Sequence, residues 1–167
     1  MATPPPLAQA PAGADADAWE QACAAVRAYC GWHIAPSVTE TVTVDGSGGP
    51  LQTLPTLRLT ALSSITNDGT AVTDPQWSEA GMVRADCVTC WTWKFRGVVA
   101  DITHGYDLCP PEIVGVLLEA LSRGAAGSAV NQVGQVRMGG VAGVPGAAAF
   151  VGERTAVLDR YKLPPRP

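Results

Sequence analysis

The chain has 167 residues, of which 47% are hydrophobic, 16% charged and 6% aromatic, with 18 Gly, 14 Pro and a formal charge of −4. That length sets a prior of one compact domain, and the acidic balance excludes a dedicated nucleic-acid binder, which needs cations against a run of phosphates. No stretch of about 18 apolar residues exists, so no membrane span is expected. Residues 1–12 lack the basic start and apolar core of a secretion leader, which predicts a product made in the cytoplasm.

Residues 1–14 hold Pro4, Pro5, Pro6 and Pro11 among alanines. Proline blocks both helix and ladder, so this stretch reads as a disordered arm. Asp15 or Asp17 can cap a first helix over 17–30, where Trp19, Ala22, Cys23, Val26, Tyr29 and Cys30 recur at helical spacing. Gly31 and Pro36 end it. A β-rich insertion is expected over about 37–104, because apolar and polar residues there alternate with the period of a strand. Val42 and Val44 alternate with Thr41 and Thr43, and residues 45–50 form a flexible Gly-rich turn. Leu57, Leu59 and Ala61 alternate with Thr56, Arg58 and Thr60, and Asn67-Asp68-Gly69 is a hairpin turn, since these residues tolerate positive φ. Trp91, Trp93 and Phe95 line one face of a further strand, with Thr92 and Lys94 opposite; Arg96-Gly97 then turns the chain into a last strand over 98–103. The sum is a small antiparallel sheet or half-barrel.

Pro110, Pro111 and Glu112 suit the first turn of a second helix, whose buried stripe is Ile113, Val116, Leu117, Ala120 and Leu121. Gly124 and Gly127 loosen its end, and residues 131–149, rich in Gly and Val, read as a flexible loop. A third short helix is expected over 150–161, anchored by Val151, Ala156, Val157 and Leu158, before an extended tail at 164–167. The predicted class is α+β: a single domain over 15–163, a small bundle of about three helices with an inserted antiparallel β unit.

Chemistry has little to work with. The two histidines are His33 and His104, and the cysteines are Cys23, Cys30, Cys87, Cys90 and Cys109. An odd count without a leader argues for free thiols. Cys87 and Cys90 with His104 and Cys109 could in principle ligate zinc, or act as a small zinc module or enzyme. A strand through 87–95 would point two thiols three residues apart to opposite faces, so no metal is expected. A redox dithiol needs a helix N-terminus, which is lacking here. His104, Asp107 and Cys109 are too close in sequence to form a triad. They read instead as a turn in which Gly105 bends the chain, Asp107 bonds backbone N–H groups near the helix start, and His104 and Tyr106 pack over it. Gly139, Gly140 and Gly143 lack the Lys-Ser/Thr ending of a phosphate loop. Arg154, Arg160, Lys162 and Arg166 are interleaved with Glu153 and Asp159, a solvated face or a docking surface. No catalytic residue and no cofactor are predicted.

In order, the run 26–36 (Val-Arg-Ala-Tyr-Cys-Gly-Trp-His-Ile-Ala-Pro), Thr39-Glu-Thr41, Leu54-Pro-Thr-Leu-Arg-Leu-Thr60, Trp77 with Gly81, Thr103-His-Gly-Tyr-Asp107 before Pro111, Arg123, and Leu158-Asp-Arg-Tyr-Lys-Leu-Pro164 resemble the head-to-tail adaptor (connector) proteins of long-tailed phages, particularly those infecting actinobacteria. The match spans most of the chain. The resemblance implies a virion structural protein without catalytic residues. Its copies form a ring, usually of twelve, below the portal protein, and bridge it to downstream neck, stopper or tail-terminator proteins. DNA passes transiently and non-specifically through the channel, and no membrane is involved. It further implies portal docking through the C-terminal residues Arg154, Arg160, Tyr161, Lys162 and Leu163, a characteristic turn at His104, Gly105, Tyr106 and Asp107, and a location at the virion neck. Trp91, Trp93, Val26 and Leu117 are assigned to the core or the subunit sides. Another neck, head-completion or tail-terminator protein is the alternative within the same class.

Overall fold

The computed structural model describes residues 5–85, 90–128 and 153–164, and for 123–128 and 153–154 the backbone only. The chain divides into two compact units: Met1–Gly31 with Cys109–Lys162, and Trp32–Leu108 with Leu163–Pro167. Among the described residues, three helices belong to the first and seven strands to the second, so the class is α+β.

In the helical unit, α1 spans Ala16–Cys30, α2 Pro111–Ser128 and α3 Glu153–Asp159. The Asp15 carboxylate starts α1 by accepting from the amides of Asp17 (2.9 Å) and Ala18 (3.4 Å), two donors with no intrahelical acceptor. Gly31 ends it in the left-handed region, φ +80°, with its N–H donating to the Arg27 carbonyl. The stripe Trp19, Ala22, Cys23, Val26 and Cys30 is buried, as are Ile113, Val116 and Leu117 of α2 and Leu158 of α3. Each large apolar side chain so buried stabilises the unit by about 1.5–3 kcal/mol. Ala120 and Leu121, expected in the same stripe, are half-buried. In α3 Leu158 is buried, Val157 half-buried and Ala156 exposed, while Val151 lies outside the described residues.

Residues 5–14 were expected to be disordered, yet they run along α1. Leu7 is buried, the Trp19 indole N–H donates to the Ala8 carbonyl at 2.9 Å, and the Arg27 guanidinium donates to the Pro5 carbonyl. One apolar side chain and a donor that would otherwise be buried unpaired suffice to hold a proline-rich segment that forms no regular structure. Residues 1–4, the 131–149 loop and residues 165–167 of the tail lie outside the described residues.

The sheet unit contains β1 Val38–Val44, β2 Leu51–Thr53, β3 Leu59–Asn67, β4 Thr70–Ala71, β5 Gln76–Trp77, β6 Met82–Arg84 and β7 Val98–His104. They form two antiparallel sheets, ordered β1-β7-β3-β4 and β2-β6-β5. The last strand sits centrally, pairing Val38 with His104 on one side and Leu59 with His104 on the other. Val98, Ala100, Ile102 and His104 alternate inward along it. One core joins both sheets through Val44, Leu54, Leu59, Ile65, Val83, Trp91 and Ile102.

Alternation predicts a strand at 91–95, and there the structure differs. Residues 91–97 are irregular. Their backbone bonds go to the Gly-rich loop after β1: the Gly46 N–H donates to Lys94 O and the Gly48 N–H to Thr92 O, each at 3.0 Å, and the Trp91 N–H donates to Gly49 O. That loop is therefore fixed rather than flexible. Gln52, buried, closes it from within by accepting from Ser47 N and donating to Asp45 O. Two glycines make the approach possible, since a Cβ at Gly46 would lie 1.9 Å from Thr92 O and one at Gly48 2.1 Å from the Trp93 ring.

Candidate functional site

His104 closes β7 with its ring buried, and its Nε2 meets Glu40 Oε1 of β1 at 2.9 Å. Its Nδ1 is buried without a hydrogen-bond partner among the described residues, and the rings of His33 and Trp32 lie 6.0 and 6.5 Å away. Gly105 then adopts φ +103° and donates to Arg58 O, while the Tyr106 N–H donates to Ile34 O at 2.7 Å. A side chain at 105 would meet Ile34 O at 3.0 Å and Pro36 O at 3.1 Å, so the turn needs glycine. Ile34 is itself at φ +68°, unusual for a β-branched residue, and is fully buried. The Arg58 guanidinium covers the Tyr106 ring at 5.8 Å. Asp107 is exposed and makes no hydrogen bond among the described residues, so the expected bond to backbone N–H groups is not formed.

On the outer face of the four-stranded sheet, Asp101 accepts from Ser64 Oγ (2.6 Å) and from Thr41 Oγ1. These two bonds hold its carboxyl below the usual range. Thr39 and Thr103 pair beside them at 2.8 Å. No lysine or arginine lies in β1, β3 or β7.

Of the C-terminal residues expected at a docking face, Arg160, Tyr161 and Lys162 are engaged within the helical unit. The Tyr161 hydroxyl donates to Glu112 Oε2 at 3.1 Å, Arg160 Nη1 lies 3.8 Å from Glu112 Oε1, and Lys162 Nζ sits 4.9 Å over the Tyr29 ring. The Tyr29 hydroxyl in turn donates to Asp159 at 2.6 Å, a bond that raises its pKa. Arg160 and Lys162 remain exposed, and Leu163 half-exposed; the side chain of Arg154 lies outside the described residues. Arg123, quoted for the resemblance, does too.

Burial pushes the Cys30 thiol up to about 12 and the Cys109 thiol up to about 11, and raises Cys23 as well. Thiols so held are poor nucleophiles and poor metal ligands. Cys87 lies outside the described residues, and Cys90 is exposed. Among the described residues no group of three or more His, Cys, Asp or Glu could hold a metal ion, and no helix is long and apolar enough to cross a membrane.

Two aromatic rings stand out instead. Trp93 and Phe95 are 81% and 86% exposed, whereas Trp91 beside them is fully buried in the core. Val26 and Leu117, assigned with the tryptophans to the core or the sides, are both core. Sequence alternation grouped Trp91, Trp93 and Phe95 on one face and so hid the exposed pair. The glycines at 46 and 48 were the available signal.

No model of a known protein family matches this sequence, and no curated protein does. Solved structures share its fold. A chain in the neck of the native GTA particle, computed with C12 symmetry, superposes with a TM-score of 0.58 at 16% identity, over 91% of this chain and 85% of that one. A chain in the neck of the empty GTA particle, computed with C6 symmetry, gives 0.54 at 18% identity, over 96% and 86%. A chain in the virion of the native gene transfer agent particle gives 0.53 at 16%, over 90% and 79%. At these identities the likeness is one of fold.

Proposed function

We propose that this chain is a virion structural protein of the head-to-tail neck, an adaptor whose copies form a ring, twelve in number, below the portal protein. On this reading it bridges head and tail, lines part of the DNA channel, and makes or breaks no covalent bond. The observation that carries it is the fold shared over nine-tenths of the chain with a component of a particle neck computed with C12 symmetry. Supporting it, β1, β3 and β7 present hydroxyls and no cation, a surface past which a polyanion slides without counterion release. Arg160, Tyr161, Lys162 and Leu163, with Arg154, are the proposed portal contacts, and downstream stopper or tail-terminator proteins meet the opposite side. Arg160 and Tyr161 would have to exchange Glu112 for the portal.

Electron microscopy of assembled particles carrying a tag on this chain is the test. The expected result is a twelve-fold collar between portal and tail. A sixfold ring at the neck would move the chain to another neck position, such as a stopper or terminator. A signal on the capsid shell or the tail tip would end both.

A further inference from the structure

We propose that the loop carrying Trp93, Lys94, Phe95 and Arg96 seats on the exposed face of α1 in a second copy of this chain. The contact rests on the ring reading above and assigns it a lateral interface. The rings of Trp93 and Phe95 are exposed but not loose. The Gly46 and Gly48 amides hold the backbone on either side of Trp93, Asp45 Oδ1 accepts from the Arg96 amide at 2.7 Å, and Lys94 Nζ meets Asp68 Oδ2 at 2.6 Å. The Trp93 ring lies over Gly48, where no side chain intervenes. Aromatic anchors fixed before contact lose little entropy on docking. Engaged rings of this kind bury about 150–250 Å² each, so the pair rivals the largest apolar patch of a typical monomer, roughly 300–600 Å².

Charge selects the occupant. Both carboxylates at the loop are already in use, Asp45 on a backbone amide and Asp68 on Lys94, and the Arg96 guanidinium has no ionic partner among the described residues. The chain as a whole is acidic. On α1, Asp17, Glu20, Ala24 and Ala28 are exposed at helical spacing, and neither carboxylate side chain has a hydrogen-bonding or ionic partner among the described residues. The two alanines give a flat floor for the rings, and the carboxylates at the N-terminal end meet the Arg96 guanidinium beside the Lys94–Asp68 pair. Loop and helix face are different surfaces, so the contact is heterologous and repeats from copy to copy around a cycle.

The test uses the full chain, with isotopically labelled and unlabelled copies mixed at high concentration and coupled by a zero-length carboxyl–amine reagent. Mass spectrometry is expected to find a Lys94–Glu20 amide joining a labelled to an unlabelled copy. In sedimentation, the double variant Trp93→Ala/Phe95→Ala is expected to weaken self-association at least tenfold, with an unchanged circular dichroism spectrum because both side chains are on the surface. Lys94→Glu/Arg96→Glu is expected to do the same, and adding Asp17→Lys/Glu20→Lys to restore association. Assemblies that persist unchanged in both loop variants, without the mixed amide, would overturn this contact while leaving the ring intact. A full chain that stays monomeric and yields no mixed amide at any concentration also removes the contact, and leaves the ring reading to the micrograph.

Discussion

The two units of this chain obey local rules to different degrees. In the helical unit the residues agree with their surroundings: an Asp caps α1, a Gly closes it, and apolar residues recur on the buried stripe. Its described left-handed residues are both glycines, Gly13 and Gly31. Among its described residues the sheet unit holds four non-glycine residues at positive φ, Ile34, Asp68, Asp74 and Arg96, and it also exposes Trp93 and Phe95. Natural sequences break local consistency chiefly where something other than stability is selected. The difference marks the sheet unit as the one whose described residues depart more often from local rules, and the helical unit as the more locally consistent frame.

Core truncation should produce the largest effects and probes each unit separately. Leu117 and Ile102 are both fully buried, one in each unit. Leu117→Ala and Ile102→Ala are each expected to cost about 2–5 kcal/mol, measured as a shift in urea midpoint. Because the three described helices lie in one unit, ellipticity at helix wavelengths reports that unit. The comparison sharpens if Leu117→Ala moves the helix signal more than Ile102→Ala does, and breaks if the two variants move it equally.

Next comes the turn at Gly105. Gly105→Ala would force a side chain into φ +103° and against two backbone carbonyls at 3.0–3.1 Å. A cost of roughly 1–3 kcal/mol is expected in the thermal or urea transition of the sheet unit. The same change at Gly115 of α2, where a Cβ would meet nothing within 4 Å, should be stabilising by about 0.5–1 kcal/mol, since alanine is the better helix former. Opposite signs for one substitution in two units test directly whether glycine is required by geometry in one and merely tolerated in the other.

How much of this was legible in the sequence follows the same division. Helix α1 was readable to within a residue, because its cap, its stripe and its stop are all nearest-neighbour signals. So was the hairpin at 67–70, where Asn67-Asp68-Gly69 dictates the turn. The strand expected at 91–95 was not there, because period-two alternation cannot report that the ladder partner is a glycine loop more than forty residues upstream. The split into two sheets and the burial of His104 against Glu40 depend likewise on long-range register. The C-terminal cations were visible as candidates, but their engagement with Glu112 was not, since it joins residues about fifty positions apart.

The pH limits of the two units should also differ. Burial raises Cys23, Cys30 and Cys109, all in the helical unit, with Cys30 reaching about 12 and Cys109 about 11. A thiol whose folded pKa lies above its unfolded value, near 9, binds its proton more tightly when folded. The stability it contributes is whole below pH 9 and is lost as pH rises toward 12. Helix ellipticity is therefore expected to fall across that alkaline window. At pH 8 the exposed Cys90 should react with a thiol reagent well before Cys30. Fast labelling of Cys30 in the native protein would contradict its burial.

The sheet unit has its corresponding sensitivity on the acid side, and it is the smallest effect expected. Asp101 is held below the ordinary carboxylate range by the hydroxyls of Ser64 and Thr41 on the two neighbouring strands. The sign is opposite to that of the thiols: its contribution is present above the unfolded value near 3.8 and fades as pH drops through the lower folded one. Asp101 is solvent-exposed, so screening keeps the contribution small. Asp101→Asn should leave the neutral-pH transition almost unmoved while flattening the acid limb, read by the chemical shifts of Thr41 and Ser64 during an acid titration. If the variant and the parent titrate alike, the hydroxyl–carboxylate bridge across β1, β7 and β3 is not what sets the acid response. The outer face then contributes only its lack of cations, the property the proposed channel role needs of it.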